Sequence, residues 1–257
     1  MSWTGGTVGA WAHCVLANNP GVMTLEGTNT WVLRAPRRTW SVVVDPGPLD
    51  EAHLARVLAK GGDVAEVLVT HHHADHTEGV ARFAELSGAP ARAVDPAHRV
   101  GAGGLADGEV LEVDGLTLEV VATPGHTRDS VSLLVPDAGA LLSGDTVLGR
   151  GTSVVAFPDG ALAPYLRSLR RLLRLVESGA VTTIWPGHGP VVTQPEAVLR
   201  GYLAHREERL EQVRSAVAAG AETALDVVHR VYADVDPALW DAAERSVEAQ
   251  LAYLRDE

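Results

Sequence analysis

The densest group of chemically reactive side chains in the sequence lies at residues 71–76. Four of the 11 histidines fall within this segment, directly after an apolar run rich in valine. His71 and His73 are two positions apart, so their side chains lie on the same face of an extended segment. Asp75 and His76 follow where the chain turns into a helix. Because zinc, iron and manganese all accept imidazole and carboxylate ligands, the segment predicts a metal site.

Three later segments end a predicted strand in the same kinds of side chain. They are Thr-Pro-Gly-His126, Ser-Gly-Asp145 and Trp-Pro-Gly-His188. Each segment alone is explained equally well by an ordinary turn. Metal ligands are held most rigidly at the ends of strands, however, where neighbouring side chains converge. The shared placement therefore favours one common site.

The ordered set His-x-His-x-Asp-His, followed by His, Asp and His, resembles the metallo-β-lactamase-fold hydrolase superfamily over about residues 18–192. Within that superfamily, residues 19–30, 149–152 and the pair His205-Arg206 are similar to the group of the β-lactamase-like endoribonucleases. The resemblance implies an α/β fold, the four-layer αββα metallo-β-lactamase sandwich, with a small helical, winged-helix-like C-terminal addition. Little chain follows the last predicted helix, so the wing is expected to be incomplete.

The resemblance also implies two divalent metal ions and their ligands. His71, His73 and His126 would bind one ion, Asp75, His76 and His188 would bind the second, and Asp145 would bridge the two. Zinc is favoured, with iron or manganese as alternatives, because nitrogen and oxygen donors admit all three metals. A hydroxide bridging two such ions is a nucleophile near neutral pH. Asp75 is the predicted catalytic residue, since it can hydrogen-bond this nucleophile and transfer its proton.

Residues next to the predicted ligands receive separate predictions. His72 lies between two ligands and is expected to point away from the metals. Each ligating imidazole needs a hydrogen-bond partner for its other nitrogen, and Thr70, Ser143 and Thr146 are the predicted partners.

Two further pairs of residues have alternative interpretations. Thr28-Asn29 either approaches the metals from the first hairpin or forms an ordinary turn. His205-Arg206 lies on a helix of alternating charge, which is typical of a solvated face stabilised by pairs four residues apart. The alternative for this second pair is contact with an anionic substrate inside the cleft.

The elements that must position these residues follow from hydrophobic periodicity and turn signals. The predicted strands are 30–34, 40–45, 64–70, 109–113, 116–122, 130–135, 140–143 and 182–185. One predicted helix begins after Asp50, and two more cover about 77–87 and 162–176. The tail consists of helices at 196–218, 222–232 and 237–255, with breaks at Gly220-Ala221 and 234–237. This order predicts a two-layer α/β core with a helical addition. We expect a catalytic domain at residues 1–194 and a small helical domain at 195–257.

The composition excludes several classes of protein. The 257 residues are 46% hydrophobic, which is enough for a sizeable core, and the single cysteine excludes an internal disulfide framework. No apolar run reaches the roughly 18 residues that a membrane helix needs. The first residues lack the basic and apolar regions of a secretory signal. We therefore expect a cytoplasmic protein without a membrane partner; its oligomeric state is not readable.

Two substrate classes remain open for a metal-dependent hydrolase. The resemblance points to a phosphodiesterase acting on single-stranded RNA; the alternative is a small-molecule ester or thioester, as in hydrolases of the glyoxalase II or acyl-carrier thioesterase kind. The net charge of −12 and the single lysine oppose RNA binding. An RNA site would also use aromatic platforms, for which Trp3, Trp11, Trp31 and Trp40 are the candidates. An exported β-lactamase and a non-enzymatic scaffold are disfavoured.

Overall fold

The computed structural model describes residues 2–233, 236 and 239–256. Within them the chain forms eleven β-strands and seven α-helices. The strands are β1 (Gly6–Val8), β2 (Ala12–Leu16), β3 (Asn29–Leu33), β4 (Ser41–Val44), β5 (Val64–Leu68), β6 (Ala91–Arg92), β7 (Val110–Val113), β8 (Leu116–Ala122), β9 (Val131–Val135), β10 (Ala140–Gly144) and β11 (Thr183–Pro186). The helices are α1 (Glu51–Gly61), α2 (Ala74–Thr77), α3 (Val80–Ser87), α4 (Leu162–Glu177), α5 (Pro195–Ala218), α6 (Ala224–Val231) and α7 (Trp240–Arg255).

The strands form two mixed sheets. The first has the order β1-β2-β3-β4-β5-β6, antiparallel from β1 to β4 and parallel from β4 to β6. The second has the order β11-β10-β9-β8-β7, in which only β10 and β11 are parallel. The sheets pack face to face, and helices cover the outer face of each one. The fold is therefore the four-layer α/β arrangement that the resemblance implies, and not the two-layer core that the pattern alone predicts.

Three apolar clusters separate the four layers. Between the sheets, Trp31 stacks on Trp185 with ring centroids 5.5 Å apart. Helices α1 and α3 pack on the first sheet, and α4 and α5 pack on the second. In strand β4, the three valines that follow Ser41 are buried on both faces of the sheet: Val42 and Val44 face the second sheet, while Val43 faces the helices. A strand buried on both faces cannot alternate between apolar and polar residues.

The helix predicted at about 77–87 corresponds to α3, which begins three residues later than predicted, and the short helix α2 before it was not predicted. Gly79, between the two helices, packs against the neighbouring loop. A Cβ atom there would lie 2.9 Å from both the carbonyl oxygen of Gly47 and the Leu54 side chain. Close packing by glycine at the junction thus sets a boundary that helical periodicity does not show. Strands β1, β2 and β6 were also not predicted.

After β11 the described residues contain helices and no strand. Helix α5 packs on α4, and a fourth apolar cluster joins α5, α6 and α7. Thr223 begins α6 with a reciprocal cap involving Asp226, and this agrees with the predicted helix at 222–232. Part of the predicted break at 234–237, and the start of the helix predicted at 237–255, lie outside the described residues. None of the described helices is both long and apolar enough to cross a membrane.

Candidate metal centre

The residues with ligand chemistry meet at one edge of the two sheets. Parallel pairing of β4 with β5, and of β10 with β11, brings the carboxyl ends of these strands together. Strand β8 is separated from β10 by one antiparallel neighbour, β9, and therefore ends at the same edge. The segments that follow β5, β8, β10 and β11 carry all seven predicted ligands.

One group of donor atoms consists of His71, His73, His126 and Asp145, which all offer an atom within 4.8 Å of one another. His73 Nδ1 lies 3.1 Å from His71 Nε2 and 3.0 Å from His126 Nε2. Asp145 Oδ2 lies 3.8 Å from His126 Nε2 and 4.0 Å from His71 Nε2. Three imidazoles and a carboxylate thus converge on one point.

A second group consists of Asp75, His76 and His188. Asp75 Oδ2 lies 3.4 Å from His76 Nε2 and 3.2 Å from His188 Nε2. Asp145 also faces this group, with Oδ1 at 3.6 Å from His76 Nε2 and Oδ2 at 3.3 Å from His188 Nε2. The same carboxylate therefore lies between the two groups.

The donor set fits divalent cations. Asp145 Oδ1 is buried and has no hydrogen-bond partner, a costly arrangement unless a cation accepts its lone pairs. The backbone beside it leaves no room for a side chain at position 187: a Cβ at Gly187 would lie 2.3 Å from Asp145 Oδ1 and 2.8 Å from His76 Cε1. Imidazole and carboxylate donors in groups of three and four are the ligands of zinc and related metals.

The protonation of the imidazoles differs between the two groups. Burial lowers the pKa of His71 and His126, and it lowers the pKa of His73 to about 4. The three imidazoles of the first group are therefore neutral and ready to bind a cation.

In the second group burial acts in the same direction, but nearby carboxylates outweigh it. Asp75, Asp145 and Asp45 raise the pKa of His76 to about 9, and Asp145 and Asp75 raise the pKa of His188 to about 11. Burial alone would raise the pKa of Asp75, yet the charge of His76 and a hydrogen bond from His188 hold it well below its usual range. The carboxylates thus favour positive charge at this point, which a metal ion also supplies.

Asp45 is the supporting residue that the sequence analysis missed. It follows β4 with a positive φ of 52°, and its Oδ1 accepts a hydrogen bond from the Thr70 amide at 2.7 Å. Its Oδ2 accepts from Thr70 Oγ1 at 2.7 Å and from His76 Nδ1 at 2.9 Å. Thr70 Oγ1 in turn accepts from His71 Nδ1 at 3.0 Å. Asp45 and Thr70 together direct Nε2 of both imidazoles into the cluster.

Backbone carbonyls orient two further imidazoles. His126 Nδ1 donates to Val154 O at 2.7 Å, and His188 Nδ1 donates to Gly27 O at 3.1 Å. The prediction that Thr70 forms a hydrogen bond with a ligating imidazole is correct. The same prediction is wrong for Ser143 and Thr146: Ser143 Oγ donates to a backbone carbonyl and Thr146 Oγ1 to Thr123, and no hydrogen bond joins either to an imidazole within the described residues.

The pair Thr28-Asn29 approaches the cluster rather than forming an ordinary turn. Thr28 Oγ1 donates to Asp75 Oδ2 at 2.8 Å and accepts from Asn19 Nδ2 at 2.9 Å. Asn29 Nδ2 donates to the carbonyl oxygens of Pro186 and Gly189, each at 2.9 Å, and so fixes the loop that carries His188. His72, as expected, points elsewhere and donates from Nδ1 to Asp129 at 2.7 Å.

A pocket of about 420 Å³ leads from the cluster to the C-terminal helices. His73, Asp75, His126, Asp145 and His188 form its floor. His205 and Arg206 from α5 also line it, so this pair faces the cleft rather than only solvent. The predicted tryptophan platforms are absent from the pocket lining: Trp31 is buried between the sheets, and Trp3, Trp11 and Trp40 lie elsewhere.

Comparison with known proteins places this site in a family. The sequence profile of the Metallo-beta-lactamase superfamily matches residues 23–188, and that of the beta-lactamase associated winged helix domain matches residues 223–257. A beta-lactamase-like protein 2 homolog of Caenorhabditis elegans is 34% identical over 93% of this chain and 82% of its own length. The atrochrysone carboxyl ACP thioesterase of Aspergillus fumigatus is 34% identical over 77% of this chain, which spans 62% of that protein.

The fold comparison agrees with the sequence comparison. The crystal structure of a metallo-beta-lactamase family protein from Thermus thermophilus superposes with a TM-score of 0.78 at 22% identity, covering 95% of this chain and 93% of that one. The matches extend through the strands that carry the donor side chains and into the C-terminal helices. The chain therefore belongs to the metallo-beta-lactamase superfamily of metal-dependent hydrolases, and it carries a C-terminal winged-helix domain.

Proposed function

We propose that this protein hydrolyses a small carboxylic ester or thioester at a centre of two divalent metal ions. The pocket of about 420 Å³ above the donor groups is the observation that carries the proposal. Its size is that of a cavity for a small molecule. Met23, Leu25, Leu148 and Leu239 give it apolar walls, which suit an acyl chain. In this proposal residues 1–194 are the catalytic domain and residues 195–257 cover the pocket.

The distances within the two donor groups support the assignment of ligands. His71, His73 and His126 would bind one ion, Asp75, His76 and His188 the other, and Asp145 both. Zinc suits these groups of imidazole and carboxylate donors, with iron or manganese as alternatives. When bound, two such ions lower the pKa of a water molecule and polarise the carbonyl group under attack.

Asp75 is suited to move the proton. Its side chain is 28% exposed, whereas that of Asp145 is 11% exposed, so Asp75 is the carboxylate that a water in the pocket reaches more readily. The hydrogen bond from Thr28 fixes its Oδ2. Asp75 would accept a proton from the attacking water and deliver it to the leaving group. The carbonyl carbon gains the oxygen of water, the C–S or C–O bond breaks, and the thiol or alcohol leaves with the proton.

Hydrolysis of single-stranded RNA is the second candidate, and one observation favours it: three arginines line the pocket. All three have partners within the protein, and Arg206 donates to Ser153 O and lies 5.1 Å from the centre of the Tyr165 ring. Arg150 pairs with Glu26, and the guanidinium of Arg209 lies 4.6 Å from the centre of the Tyr232 ring and donates to Val231 O. Apart from histidines, Tyr232 is the single aromatic side chain in the described lining, whereas binding of single strands uses stacking platforms along an open basic groove.

A direct competition between substrates tests the proposal. The zinc-, manganese- or iron-loaded protein is offered short-chain acyl thioesters, the matching esters and a single-stranded RNA oligonucleotide. We expect turnover of a thioester or ester that a chelator abolishes and added metal restores. Cleavage of RNA alone, weakened by high salt as phosphate contacts require, would overturn the proposal.

A further inference from the structure

Arg206 is a buried cation at the wall of the pocket. It lies on α5 and is only 5% exposed, although it lines the pocket above the donor groups. Its guanidinium donates to the carbonyl oxygen of Ser153 and lies 5.1 Å from the centre of the Tyr165 ring. Its Nε is buried without a hydrogen-bond partner. Arg206 therefore has hydrogen-bonding capacity that the protein itself leaves unused.

The charge of Arg206 is also uncompensated. Within the described residues, no carboxylate oxygen lies within 4.0 Å of the Arg206 guanidinium, so Arg206 forms no ion pair there. A buried charge without a counter-ion is costly. The acidic residues in the pocket lining are Asp75 and Asp145, and both belong to the donor groups.

His205, the preceding residue, also has a polar atom without a hydrogen-bond partner. It lines the pocket, and its Nδ1 is buried without a partner. Burial, followed by the charges of Arg206 and Arg209, lowers the pKa of His205, so the ring is neutral and has one N–H to donate. Two adjacent residues of α5 that line the same cavity thus each carry a buried polar atom without a hydrogen-bond partner.

We propose that Arg206, assisted by His205, binds a carboxylate at the far end of the substrate's acyl chain. The preferred substrate would then be a monothioester or monoester of a dicarboxylic acid. The inference rests on the proposed function and narrows its substrate class. The apolar side chains of Met23, Leu148 and Leu239 would contact the methylene groups between the two ends. The fork of Arg206 matches a carboxylate and supplies the missing counter-ion.

A purely structural role for Arg206 predicts a different result. The arginine holds Ser153, whose Oγ lies 3.1 Å from Nδ1 of the predicted ligand His126. If Arg206 acted only by holding this loop, its removal would lower turnover of every substrate equally and would lower metal content. Substrates that differ only in the terminal carboxylate separate the two roles.

The kinetic experiment compares glutaryl and pentanoyl thioesters of N-acetylcysteamine, which have acyl chains of equal length. We expect the metal-loaded protein to favour the glutaryl ester, and Arg206→Met to lower kcat/KM for it by about 10- to 100-fold, as for a lost charged hydrogen bond. The pentanoyl ester should change by less than about 3-fold. Arg200→Met, which removes an exposed arginine of the same helix, is the control. Equal losses for both esters, or no preference in the parent protein, overturn the inference.

A binding measurement keeps the inference testable if Arg206→Met folds poorly or turnover is absent. Calorimetry compares glutarate with pentanoate on the metal-loaded protein, since each has one carboxylate that can reach the metals and only glutarate has a second. Tighter binding of glutarate, reduced in Arg206→Lys and His205→Phe with metal content unchanged, supports the inference. Equal binding of the two acids refutes it, whereas selective glutarate binding without hydrolysis of any ester refutes the proposed function and leaves the carboxylate site standing.

Discussion

The two sides of the pocket are built in different ways. On the donor side, four imidazoles are held through the nitrogen that faces away from the cluster: His71 by Thr70, His76 by Asp45, His126 by Val154 O and His188 by Gly27 O. On the opposite side, the helices after β11 contribute the polar residues His205, Arg206 and Arg209 from α5 and small residues from α7, and none of them belongs to a donor group. The small residues of α7 are Ala242, Ala243 and Ser246.

This difference separates chemistry from selectivity. Donor atoms need positions that are accurate to a fraction of an ångström, and strand ends joined by buried hydrogen bonds supply that accuracy. The helical side sets the length and shape of the cavity, which affects the fit of the substrate more than the reaction itself. We therefore expect substitutions on the donor side to abolish activity, and substitutions on the helical side to change substrate preference.

The largest effect is expected from loss of a predicted ligand. His71→Ala or Asp145→Ala should lower both metal content and turnover, the latter by more than about 100-fold, since loss of a residue that merely supports a ligand already costs 10- to 100-fold. His72→Ala is the matched control, because this histidine pairs with Asp129 instead. Elemental analysis and steady-state kinetics measure both effects. Equal losses in the three variants would contradict the assignment.

The next effect concerns the residue that holds Asp75. Thr28→Val removes the hydroxyl that donates to Asp75 Oδ2 but keeps the shape of the side chain. We expect kcat to fall by about 10-fold, with KM and metal content nearly unchanged, as for the loss of an outer hydrogen bond. Thr117→Val on β8 is the control. If kcat is the same in both variants, Thr28 does not position a catalytic group.

A smaller effect is expected on the helical side. Ala242 lines the pocket and belongs to neither donor group, so Ala242→Phe is designed to fill part of the cavity from the helical side. We expect KM for a hexanoyl thioester to rise on the order of 10-fold, because one extra group in an apolar pocket discriminates by about this factor. The acetyl thioester should be almost unaffected, as should metal content. Ala204→Phe on the exposed face of α5 is the control. A loss of metal in Ala242→Phe would show that the two sides are not separable.

The smallest effect concerns the support beneath Asp45. Thr30 Oγ1 donates to Asp45 O at 2.7 Å and lies 2.9 Å from Nε2 of the buried His53. Burial, reinforced by Arg56, lowers the pKa of His53 to about 4, whereas an unfolded histidine titrates near 6.5. Between about pH 4 and pH 6.5, the His53 side chain is therefore protonated in the unfolded state and neutral in the folded state. The contribution of His53 to the free energy of unfolding is therefore fully present above about pH 6.5. It falls as the solution is acidified, by about 2 kcal/mol between about pH 7 and about pH 5.

Urea unfolding of the parent protein and of His53→Gln isolates this contribution. Other groups titrate in the same range, but they are common to both proteins. The free energy of unfolding should decline less steeply with acidity in the variant. Parallel curves for the two proteins would show that His53 is not the group responsible.

The sequence revealed the donor side because its ligands follow strands in recognisable segments. Four of the predicted ligands lie together within residues 71–76, and His126, Asp145 and His188 each follow an apolar run. Asp45 follows the same rule after β4 but has no second ligand-type residue beside it. Its role depends on the parallel pairing of β4 with β5, which places it beside Thr70, and no local pattern shows that pairing.

The helical side was harder to predict for a related reason. Helical periodicity identified three helices after residue 195, but it could not show which of their residues face the catalytic domain. Arg206 has the appearance of a surface residue in a charged run, and only the tertiary contact with Tyr165 and Ser153 buries it. The early tryptophans illustrate the reverse case: Trp31 serves packing between the sheets rather than binding.

Crystals of the reconstituted protein, with anomalous scattering recorded at the metal absorption edge, test the central claim most directly. The account predicts two metal ions in each chain, one among His71, His73 and His126 and the other among Asp75, His76 and His188, with Asp145 in contact with both. A single ion, or none, after full reconstitution would contradict it.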